Sequence, residues 1–137
     1  MPQEDRSVLL TYVTHHDTMA SEHWRLFSLL QAILKDAIPD GLLDRQVARL
    51  HEFLTVLEQH HETEGAMLQV VSPANMEAHL ADHLLISRAV SEILHSCQEG
   101  LATVIQRQVR SLQKALQVHV STLYVELAAL VDADGVQ

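Results

Sequence analysis

The sequence predicts an all-α protein, an up-down-up-down four-helix bundle with an N-terminal arm. Three observations carry the prediction. Apolar residues recur at three- and four-residue spacing along four long stretches, the period of a single helix face. The breaks between the stretches, Pro39-Asp40-Gly41, Ser72-Pro73 and Gly100, are short, and short connections make consecutive helices antiparallel neighbours. The composition is rich in Leu, Val and Ala, with 47% hydrophobic but only 4% aromatic residues, a balance that suits packed helices better than a sandwich of strands. The chain of 137 residues reads as one domain, 1–137, long enough to bury roughly two-thirds of its unfolded surface.

The elements follow in order. Residues 1–17 begin polar and continue through Val8, Leu9, Leu10, Tyr12 and Val13 with no sustained helical period; they are expected to form an arm over the bundle, with room for some helix. A first helix is clear by Ser21 and runs to about Ala37, with Met19, His23, Leu26, Leu30, Ile33 and Ala37 on one face. Pro39-Asp40-Gly41 ends it. A second runs from about Leu43 to Val71, its seam carried by Val47, Leu50, Leu54, Leu57, His61, Glu64 and Leu68, with Phe53, His60 and Met67 beside it. Ser72 is expected to cap the third helix with Pro73 at its first position. That helix, about 73–98, places Met76, His79, His83, Ile86, Val90, Ile93 and Cys97 inward. After Gly100 the fourth, about 101–131, turns Ile105, Leu112, Leu116, His119, Leu123 and Leu130 inward.

The bulk properties exclude several function classes. Net charge is −9 and Lys and Arg are scattered singly, so no basic stripe is present to neutralise phosphates and a nucleic-acid partner is not expected. The N-terminal M-P-Q-E-D-R is acidic and no apolar run approaches the length of a bilayer span, so neither a signal peptide nor a membrane segment is expected. The single cysteine, Cys97, rules out an intrachain disulfide and fits a reducing compartment, which places the expected site of action in the cytoplasm.

The ten histidines matter through their positions. His60 and Glu64 are four residues apart, as are His79 and His83; on a helix each pair shares a face, about 6 Å between Cβ atoms. Counted from the helix ends, these four and His119 fall within a slab about 9 Å thick, and His23 lies at the same end of the bundle. A lone histidine on an apolar face is ordinarily a hydrogen-bonded core residue. Five of them around a carboxylate are different, because each buried polar group costs several kcal/mol unless it is paired, and a cation satisfies all of them together. Nitrogen ligands with a carboxylate, no thiolate and more than four donors argue against a closed tetrahedral zinc site. Five histidines are too many for one ion that keeps an open position. Two ions bridged by Glu64 fit better, iron first and manganese as the second candidate. His15, His16, His51 and His95 read as surface or helix-end residues.

These residues resemble the hemerythrin family, specifically its single-domain bacterial members. The stretch S-E-H-W-R-L-F at 21–27 resembles the family's first-helix ligand motif, H-H-E-T-E at 60–64 its HxxxE element, and E-A-H-L-A-D-H at 77–83 its HxxxH element. L-Q-V-H-V-S-T-L-Y at 116–124 resembles the fourth-helix segment, where the family has a histidine followed five residues later by Asp. The resemblance runs through nearly the whole chain, in order. It implies that His79, His83 and His119 hold one iron, that His23 and His60 hold the other, and that Glu64 bridges the two beside an oxo or hydroxo group. It further implies dioxygen or a related small ligand as the partner, with Leu116 and Val120 at apolar positions of the ligand pocket.

Two positions depart from the family pattern. Tyr124 stands where the second bridging carboxylate belongs. It is left with four roles: a terminal phenolate ligand, a hydrogen-bond donor to bound ligand, a side chain that swings aside to open a coordination site, or core filling. Glu126 is expected to face elsewhere, about 200° further round the helix. His61 follows the expected ligand His60 where the family has an aromatic or apolar residue, and is open as a proton donor, a substitute ligand or a partner that orients one. The implied function is oxygen binding, storage or sensing; the alternatives are a di-iron enzyme reducing peroxide, oxygen or nitric oxide, and a metal-stabilised interaction module. Any redox or signalling output is expected to need a separate protein partner.

Overall fold

From Gln3 onward no glycine or proline interrupts the chain until Pro39, and nothing in that stretch prevents a continuous helix. The computed structural model describes residues 3–35 and 43–133. They form four helices and no strand: α1 (Gln3–Lys35), α2 (Leu43–Val71), α3 (Pro73–Gln98) and α4 (Ala102–Ala133). Each packs on the next, and α1 also packs on α4, which closes a four-helix bundle. None of them is long and apolar enough to cross a membrane.

The expected N-terminal arm is therefore corrected: residues from Gln3 on belong to α1. Its irregular apolar pattern hid the helix, because periodicity reports which face is buried and not whether the backbone is helical. Leu10 is 67% exposed. Thr14 keeps its hydroxyl within the helix, donating to the Leu10 carbonyl at 2.7 Å. The Pro39-Asp40-Gly41 turn, Ala37 and the side chain of Leu130 lie outside what is described.

The helix ends have identifiable causes. At the C-terminus of α1 the carbonyls that lack an intrahelical partner are met from α2. Buried Gln46 donates to the Ile33 carbonyl at 2.9 Å and Arg49 to that of Ala32 at 3.3 Å. Between α2 and α3, Pro73 occupies the first turn of α3 as expected, but Ser72 does not cap with its side chain. Its hydroxyl instead accepts from the Asn75 amide at 2.7 Å. α3 stops at Gly100, whose φ of +70° is the left-handed conformation that closes a Schellman motif. Gly100 N–H donates to the Cys97 carbonyl and Leu101 N–H to that of Ser96, each at 3.2 Å.

Along every helix a polar position interrupts the buried stripe at one level. The larger apolar cluster gathers residues including Leu26, Leu30, Leu50, Phe53, Ile93, Ile105 and Leu116. A smaller one gathers Met19, Met67, Leu68, Val71, Leu123 and Leu127, with Met76 against it. His23 falls between Met19 and Leu26, His60 and Glu64 between Leu57 and Met67, His79 and His83 between Met76 and Ile86, and His119 between Leu116 and Leu123. A polar layer is thus enclosed between two apolar ones.

Replacing Gly100 by Ala should cost about 1–2 kcal/mol, because a Cβ disfavours the left-handed conformation while no neighbour lies within 4 Å of it. Urea unfolding should show a lower midpoint with an unchanged slope.

Candidate metal centre

The polar layer is built around Glu64, fully buried on α2. One turn earlier, His60 brings Nε2 to 2.7 Å from Glu64 Oε2. From α3, His83 brings Nε2 to 2.8 Å from the same oxygen, and His119 of α4 brings Nε2 to 3.3 Å. His79 approaches the other oxygen, with Nδ1 2.9 Å from Oε1. His23 joins from α1, its Nε2 3.1 Å from His60 Nε2. The structure thus brings together His23, His60, Glu64, His79, His83 and His119, all buried. His60, Glu64, His83 and His119 have ligand-type atoms within 4.8 Å of one another, close enough to hold a metal ion.

A cation fits this set on its own geometry. Glu64 Oε1 and His79 Nδ1 are 2.9 Å apart, yet both are buried without a hydrogen bond. Buried polar atoms left in that state are costly: without a metal the two are held only by charge, and a cation between them would take a lone pair from each. His83 and His119 likewise turn Nε2 towards Nε2 at 3.1 Å.

The outward nitrogens of four of the five imidazoles are also occupied, whereas His83 Nδ1 is buried without a hydrogen-bond partner. His60 Nδ1 donates to Glu22 Oε1 at 3.2 Å, and Thr63 Oγ1 lies 3.0 Å from Glu22 Oε2. His119 Nδ1 donates to Asp82 Oδ2 at 3.1 Å. His79 Nε2 contacts Glu126 Oε2 at 2.7 Å. His23 Nδ1 is hydrogen-bonded to the Tyr124 hydroxyl at 3.3 Å, with the two rings edge to face. Such outer partners fix ring orientation and tautomer. Glu22 and Asp82 were missed in sequence, although each directly precedes a cluster histidine. Successive helix residues diverge by about 100°, so each carboxylate serves a histidine of the adjoining helix and not its own neighbour. Glu126 corrects the expectation that it faces away: Tyr124 leans towards α1 and Glu126 towards α3, with buried Leu123 and Leu127 between them.

The remaining expected site residues sit as follows. His61 is half-buried and stacks on His83, ring centroids 3.8 Å apart and 9° from parallel; its buried Nε2 has no hydrogen-bond partner. Leu116 is fully buried in the larger apolar cluster and Val120 is partly buried against it. Val120 also lines a surface cavity of about 330 Å³ with Phe27, Gln113, Gln117 and Ser121.

The electrostatics divide the histidines. Burial would raise the Glu64 pKa, but His119, His60, His79 and His83 outweigh it and hold the carboxyl well below the usual range. Burial lowers His23 to about 3, reinforced by His60. It lowers His61 to about 4, reinforced by His83, and lowers His83 as well. For His79 burial is outweighed by Glu64 and Glu126, which raise it to about 9. His60 is likewise raised against burial, by Glu22 and Glu64.

A pH optimum for the metal-free protein follows from linkage. Below the ordinary histidine value of 6.5 the unfolded chain takes up protons that folded His23, His61 and His83 refuse, so stability falls with pH. Glu64, lowered from 4.5, loses its contribution at still lower pH. The extra stability from His79 and His60 is complete below 6.5 and is lost as pH rises, for His79 through about 9. Thermal unfolding of chelator-treated protein should therefore give a midpoint that peaks near pH 6.5 and declines on both sides.

Comparison with protein-family models, with curated proteins and with solved structures found no match.

Proposed function

We propose that this chain is a non-heme di-iron protein of hemerythrin type that binds dioxygen or a related small ligand. The observation that carries the reading is the convergence of four imidazoles on one fully buried carboxylate, with a fifth, His23 of α1, against His60, and with Glu64 Oε1 and His79 Nδ1 left facing each other without a hydrogen bond. In this reading His79, His83 and His119 would hold one ion and His23 and His60 the other, with Glu64 shared between them. The pairing of His23 with His60 and of His83 with His119 through Nε2 atoms 3.1 Å apart supports that division. Two iron ions bound there would supply the electrons for the reduction of dioxygen. The chain's own part is to fix the donors, with Glu22, Asp82 and Tyr124 on their outer nitrogens, and to exclude bulk water with the apolar layers on either side. Beside the four roles left open for Tyr124 in the sequence, its hydrogen bond to His23 Nδ1 supports a fifth, orientation of that histidine. Iron, with manganese as the other candidate, suits a mixed imidazole and carboxylate set.

One observation favours a second reading, a reductase of peroxide, oxygen or nitric oxide. His61 places a half-buried imidazole with a partnerless Nε2 against His83, where a proton carrier would serve reduction. The two readings separate in one experiment: a carrier forms a stable coloured adduct in air, whereas a reductase consumes peroxide over many turnovers.

Anaerobic titration with ferrous iron should saturate at about two ions per chain, and air should then develop a visible absorption band. Saturation at one ion or none would refute the di-iron centre. His79→Ala and His83→Ala should each lose metal and lower stability, since removing one partner strands the others. His61→Phe should keep the metal while changing ligand affinity or oxidation rate. Tyr124→Phe should weaken iron at the His23 side by about 10–100-fold, the range found for removing an outer partner of a ligand histidine. A broad purple phenolate band in ferric wild type, abolished in Tyr124→Phe, would instead make Tyr124 a ligand.

A further inference from the structure

His79 is the odd member of the cluster. His60, His83 and His119 all turn Nε2 to Glu64, and His23 turns Nε2 to His60. His79 alone turns Nδ1 to Glu64, and it does so at Oε1, the oxygen the others do not use. Its Nε2 points the other way, onto Glu126 Oε2 at 2.7 Å. A carboxylate only accepts hydrogen bonds, so an imidazole nitrogen held by one must carry a proton. When the ring gives up a single proton, its lone pair is then on the opposite nitrogen.

We propose that Glu126 is the positioning residue of His79, and that it makes this histidine offer Nδ1 to the metal where the other four offer Nε2. The inference rests on the metal-centre reading for its consequence, although the contact itself is a property of the metal-free chain. Three features support it. Glu126 lies two residues beyond Tyr124, so α4 turns the two side chains to opposite seams, one to His23 on α1 and one to His79 on α3. The Nδ1 it leaves inward is the nitrogen buried without a hydrogen bond beside Glu64 Oε1. The ring is held edge to face against His119, with centroids 5.0 Å apart and planes at 74°, which opposes a flip that would exchange the nitrogens. Nδ1 stands closer to the backbone than Nε2, so a ligand that uses it draws α3 nearer to the ion than one that uses Nε2.

The test uses the full chain with Zn(II), which is diamagnetic, and ¹⁵N-labelled histidine. In the loaded wild type, His79 Nδ1 should show the shift of a coordinated nitrogen while Nε2 keeps a slowly exchanging proton. Glu126→Gln preserves an acceptor oxygen and should keep this pattern, with zinc affinity within about threefold of wild type. Glu126→Leu should lose the protected Nε2 proton and weaken zinc by about 10–100-fold; at 29% exposure the position tolerates a leucine in the fold. Coordination through His79 Nε2 in the wild type would overturn the proposal, as would unchanged affinity in Glu126→Leu. Loss of one ion in Glu126→Gln and Glu126→Leu alike would overturn it too, because Glu126 would then be a ligand itself. Should the chain bind no zinc, the metal-centre reading fails, and the metal-free spectrum still decides the contact. A protected His79 Nε2 proton in wild type that disappears in Glu126→Leu upholds it, and absence of that proton in wild type refutes it.

Discussion

The carboxylate of Glu64 is buried to the last square ångström, and the groups that answer it are imidazoles, not lysine or arginine. Most of the arrangement follows from that placement. A buried carboxylate is tolerated only with close partners of opposite character, and imidazole is the one side chain that can supply either a proton or a lone pair near neutral pH. Helices α2, α3 and α4 each devote positions to it and α1 adds His23 against His60, so the register of every helix against its neighbours is tied to the depth of this layer. The apolar layers on either side remove competing water, which strengthens each contact inside and raises the cost of losing any one of them.

The fold was legible because its signals are local. Helical periodicity gave the buried faces of residues such as Leu26, Leu30, Ile86, Val90 and Leu116, and Ser72-Pro73 and Gly100 marked two of the breaks. The start of α1 was not legible, since the apolar residues there follow no sustained helical period. The ligand-type cluster was legible for a related reason: i, i+4 pairs on two helices fix both face and depth. What the sequence concealed is what side-chain reach decides. That Glu22 serves His60 and Asp82 serves His119 depends on which seam each side chain leans across. Glu126 shows the limit best. Its helical angle excluded it from the centre, but a three-bond arm at the α3–α4 seam brings its oxygen to His79.

The outer ring also sets the charge of the layer. Glu22, Asp82 and Glu126 stand around imidazoles that are themselves buried, so negative charge surrounds the donors. Such surroundings favour a multivalent cation over a neutral guest. The division among histidines reflects the same ring. His60 is raised by Glu22 and Glu64 and His79 by Glu64 and Glu126, whereas His23, whose outer partner is a phenol, is lowered by burial.

The polar layer is also a knot in the connectivity of the chain. His23 and His60 are separated by 37 residues, His83 and His119 by 36, Glu64 and His119 by 55, and His23 and Tyr124 by 101. A group that fastens these positions closes several loops at once, and in an unfolded chain the entropy forfeited by closing a loop grows only with the logarithm of its length. An ion held here would therefore act as a multi-armed cross-link, restraining four segments together in the way a disulfide restrains two. Fraying can proceed inward from either end of the bundle, but no single helix can leave without undoing the junction, so the loaded chain is built to come apart all at once.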